Sequence, residues 1–146
     1  MRRATTPRTG QVPPTGWRGR SFSLGIADSV TVLARTAAEA DAAATMVANA
    51  VDLDEPRILR RPACTLKDDS DLGERLVTVD VPALDAASIQ RALRAGARRA
   101  RDLQAAGLVH SAVLVCQGWF TTSDGEPRLL QDGAPSRPAQ RALLTA

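Results

Sequence analysis

Aromatic residues make up only 3% of this 146-residue chain. Stacking platforms of the kind that single-strand nucleic-acid binders use are therefore scarce, and no nucleic-acid partner is expected. Cysteine is nearly missing too. Cys64 and Cys116 stand far apart in no Cys-x-x-Cys or Cys/His pattern, so neither a disulfide framework nor a zinc site is indicated, and a reducing cytoplasm fits. No apolar run approaches the roughly 20 residues of a membrane span. The arginines of the opening MRRATTPRTGQVPPTG are followed by none of the hydrophobic stretch a secretory leader needs. Neither export nor insertion is expected, and no membrane partner. What is present is 44% hydrophobic and 24% charged, the composition of one globular domain with a modest core. A net charge of +3 with a pI near 9.6 permits contact with an acidic surface without establishing one.

Punctuation along the chain is clear. Residues 1–16, rich in Arg, Thr, Pro and Gly without periodicity, read as an extended or disordered arm. SVTVLA, Ser29 to Ala34, has the β-branched content of a short buried strand. TAAE, Thr36 to Glu39, fits a capping box in which each side chain takes the other residue's amide. A helix is expected from there to about Val51, with Ala37, Ala40, Ala44, Val47 and Val51 as a small-residue stripe. Asp52 to Arg75, with Pro56, Pro62 and the acidic KDDSDLGE, reads as a long irregular connection. RLVTVDV, Arg75 to Val81, alternates, placing Val77, Val79 and Val81 on one side and Thr78 and Asp80 on the other. Asp85 can cap a second helix over 86–106, with Ile89, Leu93, Ala97, Ala100 and Leu103 on one face and Gly107 placed to end it. VHSAVLVCQGWF, Val109 to Phe120, is the most hydrophobic strand, and SDGE after it reads as a hairpin turn. The ordered domain is thus expected over 17–130, with a loose tail over 131–146. Its class is α+β, a mixed sheet with two main helices packed on it.

Asp41 and Thr45 interrupt the alanine run of the first helix. Four residues is a little over one helical turn, so the carboxylate and the hydroxyl project from one face and can share a ligand.

TGWRGRSFSLGIADSVTVLARTAAEADAAATMVANAVD, then DSDLGERLVTVDVPAL, then ALRAGARRARDLQAAGLVHSAVLVCQG together resemble the C-terminal half of an uncharacterised bacterial family related to the ApbE-like FAD:protein FMN transferases. The resemblance runs from about Thr15 to Gly118. Its sharpest element, VTVLARTAAEADAAAT, is similar to the transferase segment bearing D-A-x-x-T on a helix after a strand. The resemblance implies that Asp41 and Thr45 hold Mg2+ beside the pyrophosphate of FAD, and that FMN passes to a threonine or serine of an acceptor protein. It also implies an ApbE-like, T-fold-like layer. The transferase pattern H-x-x-D-P-x-T-G upstream of the strand is replaced here by SFSLGIAD, with Asp28 its only acid. Fuller members of the resembling family carry a comparable length of chain before TGWRGRSF, where this chain has a short polar arm. A second copy or a partner subunit is expected to supply that half; otherwise the chain is a truncated product with an incomplete site.

Plainer readings stand beside these. Asp41 and Thr45 also read as ordinary polar positions on an alanine-rich helix. Arg91, Arg94, Arg98 and Arg101 lie along one side of the second helix and read as a solvated face. Cys116, six residues after the single His110 on one strand, reads as a buried thiol rather than half of a catalytic pair. Trp17 and Trp119 read as core or interface rings. Asp68, Asp69 and Asp71 lack the spacing of a calcium loop and read as a solvated turn. Two functions follow: magnesium-dependent flavin binding or transfer, completed by a partner, and a non-catalytic remnant or oligomerisation module, which the missing upstream pattern favours.

Overall fold

The computed structural model describes Trp17 and residues 22–131. The arm at 1–16 and the tail at 132–146 lie outside the described residues. The first strand, β1, spans Ser29–Leu33 and leads into helix α1, Ala37–Ala50. Thr36 caps α1 by accepting the Glu39 amide at 3.1 Å. The reciprocal half of the capping box is not made. Glu39 turns instead to Arg35, whose guanidinium donates to it at 2.9 Å, because a charged partner four residues away competes with the neutral Thr36 amide. Ala43, Ala44, Val47 and Ala48 form the buried stripe, with Val51 just past the helix end. Ala37 is exposed and Ala40 half-buried, so the stripe is rotated slightly from the one expected.

The connection after α1 is not wholly irregular. It contains β2, Leu59–Pro62, followed by a turn of 3-10 helix over Ala63–Thr65. β2 pairs antiparallel with β3, Leu76–Asp80. Nothing in LRRP announces a strand, since two arginines and a proline break any apolar alternation; its pairing is imposed by β3. Thr78 of β3 is buried although the alternation assigns it to the outer side. The loop before β1 meets the strand here, its Ser23 carbonyl accepting the Thr78 amide at 2.8 Å, and the Arg60 guanidinium reaches the Thr78 hydroxyl at 3.4 Å.

Helix α2, Ala86–Ala105, starts at Asp85, which accepts the Ser88 amide at 3.1 Å. All five residues expected on its inner face are buried. Gly107 follows with φ of 74°, and the helix ends there. The hydrophobic run beyond it divides into β4, Ser111–Cys116, and β5, Trp119–Thr122. Between them Gln117 and Gly118 both take positive φ, 44° and 79°, the backbone signature of a tight two-residue hairpin. Glutamine is not a residue that announces such a turn, and the apolar residues flanking it hide the break. After the SDGE turn comes β6, Arg128–Leu129, which pairs with β5.

The four-stranded sheet has the order β1-β4-β5-β6 and every pairing is antiparallel; β2 and β3 form a separate sheet. The expected mixed sheet is therefore two antiparallel ones, and the fold is α+β with two helices packed on them. α1 lies on β1, α2 lies on β4 and β5, and the helices pack on each other. Ala112, Leu114 and Cys116 of β4 are buried beneath them, while Val113 between is 40% exposed on the bare outer face. Gly96 sets how closely the layers meet. A Cβ there would stand 2.3 Å from Cγ2 of Val51 and 2.6 Å from Cδ2 of Leu114, so α2 approaches its neighbours at a distance only glycine allows. Leu93 and Leu114 are fully buried in this seam, each worth about 1.5–3 kcal/mol of transfer free energy. Trp17 and Trp119, partly buried, pack against the same core.

Candidate functional site

Asp41 and Thr45 sit on the exposed side of α1, opposite its buried alanines. The Thr45 hydroxyl donates to the Asp41 carbonyl at 3.2 Å. That bond uses the hydroxyl hydrogen and leaves the oxygen lone pairs free. The Asp41 carboxylate makes no hydrogen bond or ion pair with any described residue. The structure therefore brings the two oxygens to one accessible face, as their spacing requires. It brings no third ligand: among the described residues no group of three His, Cys, Asp or Glu side chains could hold a metal ion.

Asp28, the only acid of the upstream segment, has a different task. Its carboxylate accepts the Gln117 amide at 2.6 Å, tying the start of β1 to the β4–β5 turn. Gln117 completes the junction with its side chain, donating to the Pro82 carbonyl at 2.7 Å and accepting the Leu84 amide at 2.9 Å. Cys116 beside it is fully buried, and its thiol donates to the Ile26 carbonyl at 3.5 Å. Burial, with a smaller push from the Asp28 charge, raises that thiol to about 12. A thiol held neutral in this way is a poor nucleophile, and His110 is exposed.

The arginine side of α2 is exposed and partly engaged. Arg94 meets Glu126 at 3.0 Å, Arg101 donates to the Ser123 carbonyl at 3.1 Å, and Arg91 reaches the Ser88 hydroxyl at 3.4 Å. The first two bonds lay the β5–β6 turn along the helix; the third stays within α2. Asp68, Asp69 and Asp71 are exposed.

A cleft of about 470 Å³ opens at the far end of α1, lined by Leu24, Asp52, Leu53, Asp54, Arg60, Arg75 and Leu76. Roughly 14 Å of helix separates Asp41 from Ala50, at about 1.5 Å per residue, so this cleft does not include the carboxylate–hydroxyl pair. Arg60 organises it. Its guanidinium donates to the Leu24 carbonyl at 2.6 Å, reaches the Thr78 hydroxyl at 3.4 Å and forms an ion pair with Asp52. Sequence reasoning missed Arg60 because it lies on β2, whose pattern gave no strand.

The geometry thus defines a two-helix α+β domain with a free carboxylate and hydroxyl paired on an exposed helix face. The family described as AbpE bacteria matches residues 5–125, and the chain belongs to it. That description names no activity. Comparison with curated proteins finds no match. Comparison with solved structures finds none either.

Proposed function

We propose that this chain binds a flavin dinucleotide through magnesium held at Asp41 and Thr45, as its resemblance to the ApbE-like transferases implies, with flavin transfer arising when a second copy or partner completes the site. The observation that carries this reading is the free Asp41 carboxylate beside a hydroxyl whose hydrogen is already committed to a backbone carbonyl. Both groups fit a hard cation that prefers oxygen ligands and keeps several waters. When bound, such an ion neutralises phosphate charge during phosphoryl transfer. Asp41 would supply the negative charge that attracts the cation, and the back-bond to its own carbonyl would hold the Thr45 oxygen with its lone pairs toward the ligand. Completion from outside is part of the proposal because the cleft lies at the other end of α1.

The test is calorimetric titration of FAD into the wild type and Asp41→Asn, each with magnesium and with chelator. Magnesium-dependent heat is expected for the wild type and not for Asp41→Asn, with the fold unchanged by circular dichroism. The amide keeps the carboxylate's shape and removes its charge. Thr45→Val should weaken binding less, since it deletes one neutral oxygen. A wild-type protein giving no magnesium-dependent heat, alone and with the partner that completes it, defeats the reading.

A second reading, a domain that keeps the fold without the chemistry, draws on Asp28. The one acid of the upstream segment is occupied as a structural acceptor, and Asp41 and Thr45 are then solvated surface. On that reading Asp41→Asn shifts stability by only a few tenths of a kcal/mol and there is no binding to lose.

A further inference from the structure

We propose that the edge of β1 left open among the described residues is the surface on which a second copy of this chain docks, extending the four-stranded sheet antiparallel across a two-fold axis at Thr31. The inference is independent of the flavin reading and rests on how the strand edges differ. An open strand edge offers a row of unsatisfied backbone groups, and proteins blunt it with shortness, charge, proline, bulges or a covering segment. β6 is two residues long and carries Arg128. β2 has Arg60, Arg61 and Pro62 and a register shift between Leu59 and Arg60. The outer side of β3 is covered where Ser23 accepts the Thr78 amide. Among the described residues β1 has none of these. Ser29–Leu33 is five residues long, without charge or proline, and pairs with β4 in unbroken register. Among the described residues nothing pairs with its other side.

The strand is also complementary to itself. With the axis at Thr31, its middle residue, all five positions find partners. Thr31 faces Thr31 of the second copy, Val30 faces Val32, and Ser29 faces Leu33. Threonine pairs and β-branched pairs are favourable across antiparallel strands, and no like charges meet. A shifted axis shortens the ladder and loses pairs. A ladder of five residues, about 17 Å long, is too short to bury by itself the roughly 1,200–2,000 Å² of a stable interface, so flanking apolar groups must add to it. Leu33 is 39% exposed at the end of this strand, and Met46 is 40% exposed on α1, the helix that packs over it.

The test is assembly of the full chain, followed by light scattering and by cross-linking. In a Cys64→Ser background, Thr31→Cys should oxidise to a covalent dimer on a non-reducing gel. Directly opposed antiparallel residues stand about 4.5–5.5 Å apart at Cα, within disulfide reach. Val113→Cys on the bare sheet face and Leu129→Cys on β6 should remain uncross-linked. Thr31→Lys should convert the wild-type dimer to a monomer by placing two positive charges on the axis; should that variant fail to fold, the nearly isosteric Thr31→Cys still reads out the geometry. A wild-type chain that stays monomeric up to its solubility limit overturns the proposal. A dimer that survives Thr31→Lys, or that cross-links through Val113→Cys or Leu129→Cys instead, overturns it as well.

Discussion

Cys116 couples the stability of this chain to alkaline pH. Its thiol is raised from 9.0 to about 12, first by burial and then by Asp28, so the folded state prefers the neutral form. The contribution is complete below 9.0 and is lost as pH rises toward 12. The chain has no tyrosine and only one lysine, so few other groups titrate in that window. Urea midpoints measured below and above 9.0 should fall with rising pH for the wild type, and the slope should be much reduced in Cys116→Ala. Arg60 is a second residue whose role is out of proportion to its appearance. Replacing it with Met leaves Asp52 and the Leu24 carbonyl without their donor, and a loss of roughly 1–3 kcal/mol is expected by denaturant titration. Lysine should not restore it, because one ammonium cannot spread donors as a guanidinium fork does. Asp41 and Thr45 were legible as a pair because helical spacing alone places them together. Arg60 and Gln117 were not, since each acts by joining segments distant in sequence, Leu24 lying 36 positions from Arg60 and Asp28 lying 89 from Gln117.

Elements with their own local signals were legible and those without were hidden. Thr36 and Asp85 cap α1 and α2 as their side chains allow and all five inner residues of α2 are buried, so caps and the α2 face follow from sequence physics. The α1 stripe, by contrast, is rotated, and Thr78 of β3 is buried against the alternation. β2 and the Gln117–Gly118 turn take their form from neighbours. That turn invites a paired substitution. Gln117→Ala loses the bonds to Pro82 and Leu84 and keeps an unfavourable positive φ; Gln117→Gly loses the same bonds and relieves the backbone. Both should destabilise, the alanine variant by about 1 kcal/mol more. For α2, Gly96→Ala drives a methyl into Val51 and Leu114 and should cost about 1–3 kcal/mol by overpacking, although alanine is the better helix former. The outer side of the same helix should behave oppositely. Arg94 and its partner Glu126 are 51% and 75% exposed, so Arg94→Gln with Arg98→Gln should change stability by no more than about 0.5 kcal/mol.

The whole molecule joins a large sheet beneath two helices to a small sheet held by fewer ties. The Thr78–Ser23 bond and the Arg60 contacts are prominent among the links from β2 and β3 to the loop before β1 and the end of α1. Leu59, Leu66 and Leu76 in and beside that sheet are all more than 40% exposed. Hydrogen exchange should show β2 and β3 opening before β4 and α2, whose residues supply most of the central seam. The order of strands in space also has a meaning in time. Among the described residues β1 finds its sheet partner in β4, and Asp28 reaches a residue 89 positions later. At synthesis rates of about 5–20 residues per second, a nascent chain carries SVTVL without its sheet partner for roughly 4–18 seconds. The strand whose edge is the least protected among the described residues is therefore among the longest to wait for its neighbour while the chain is being made.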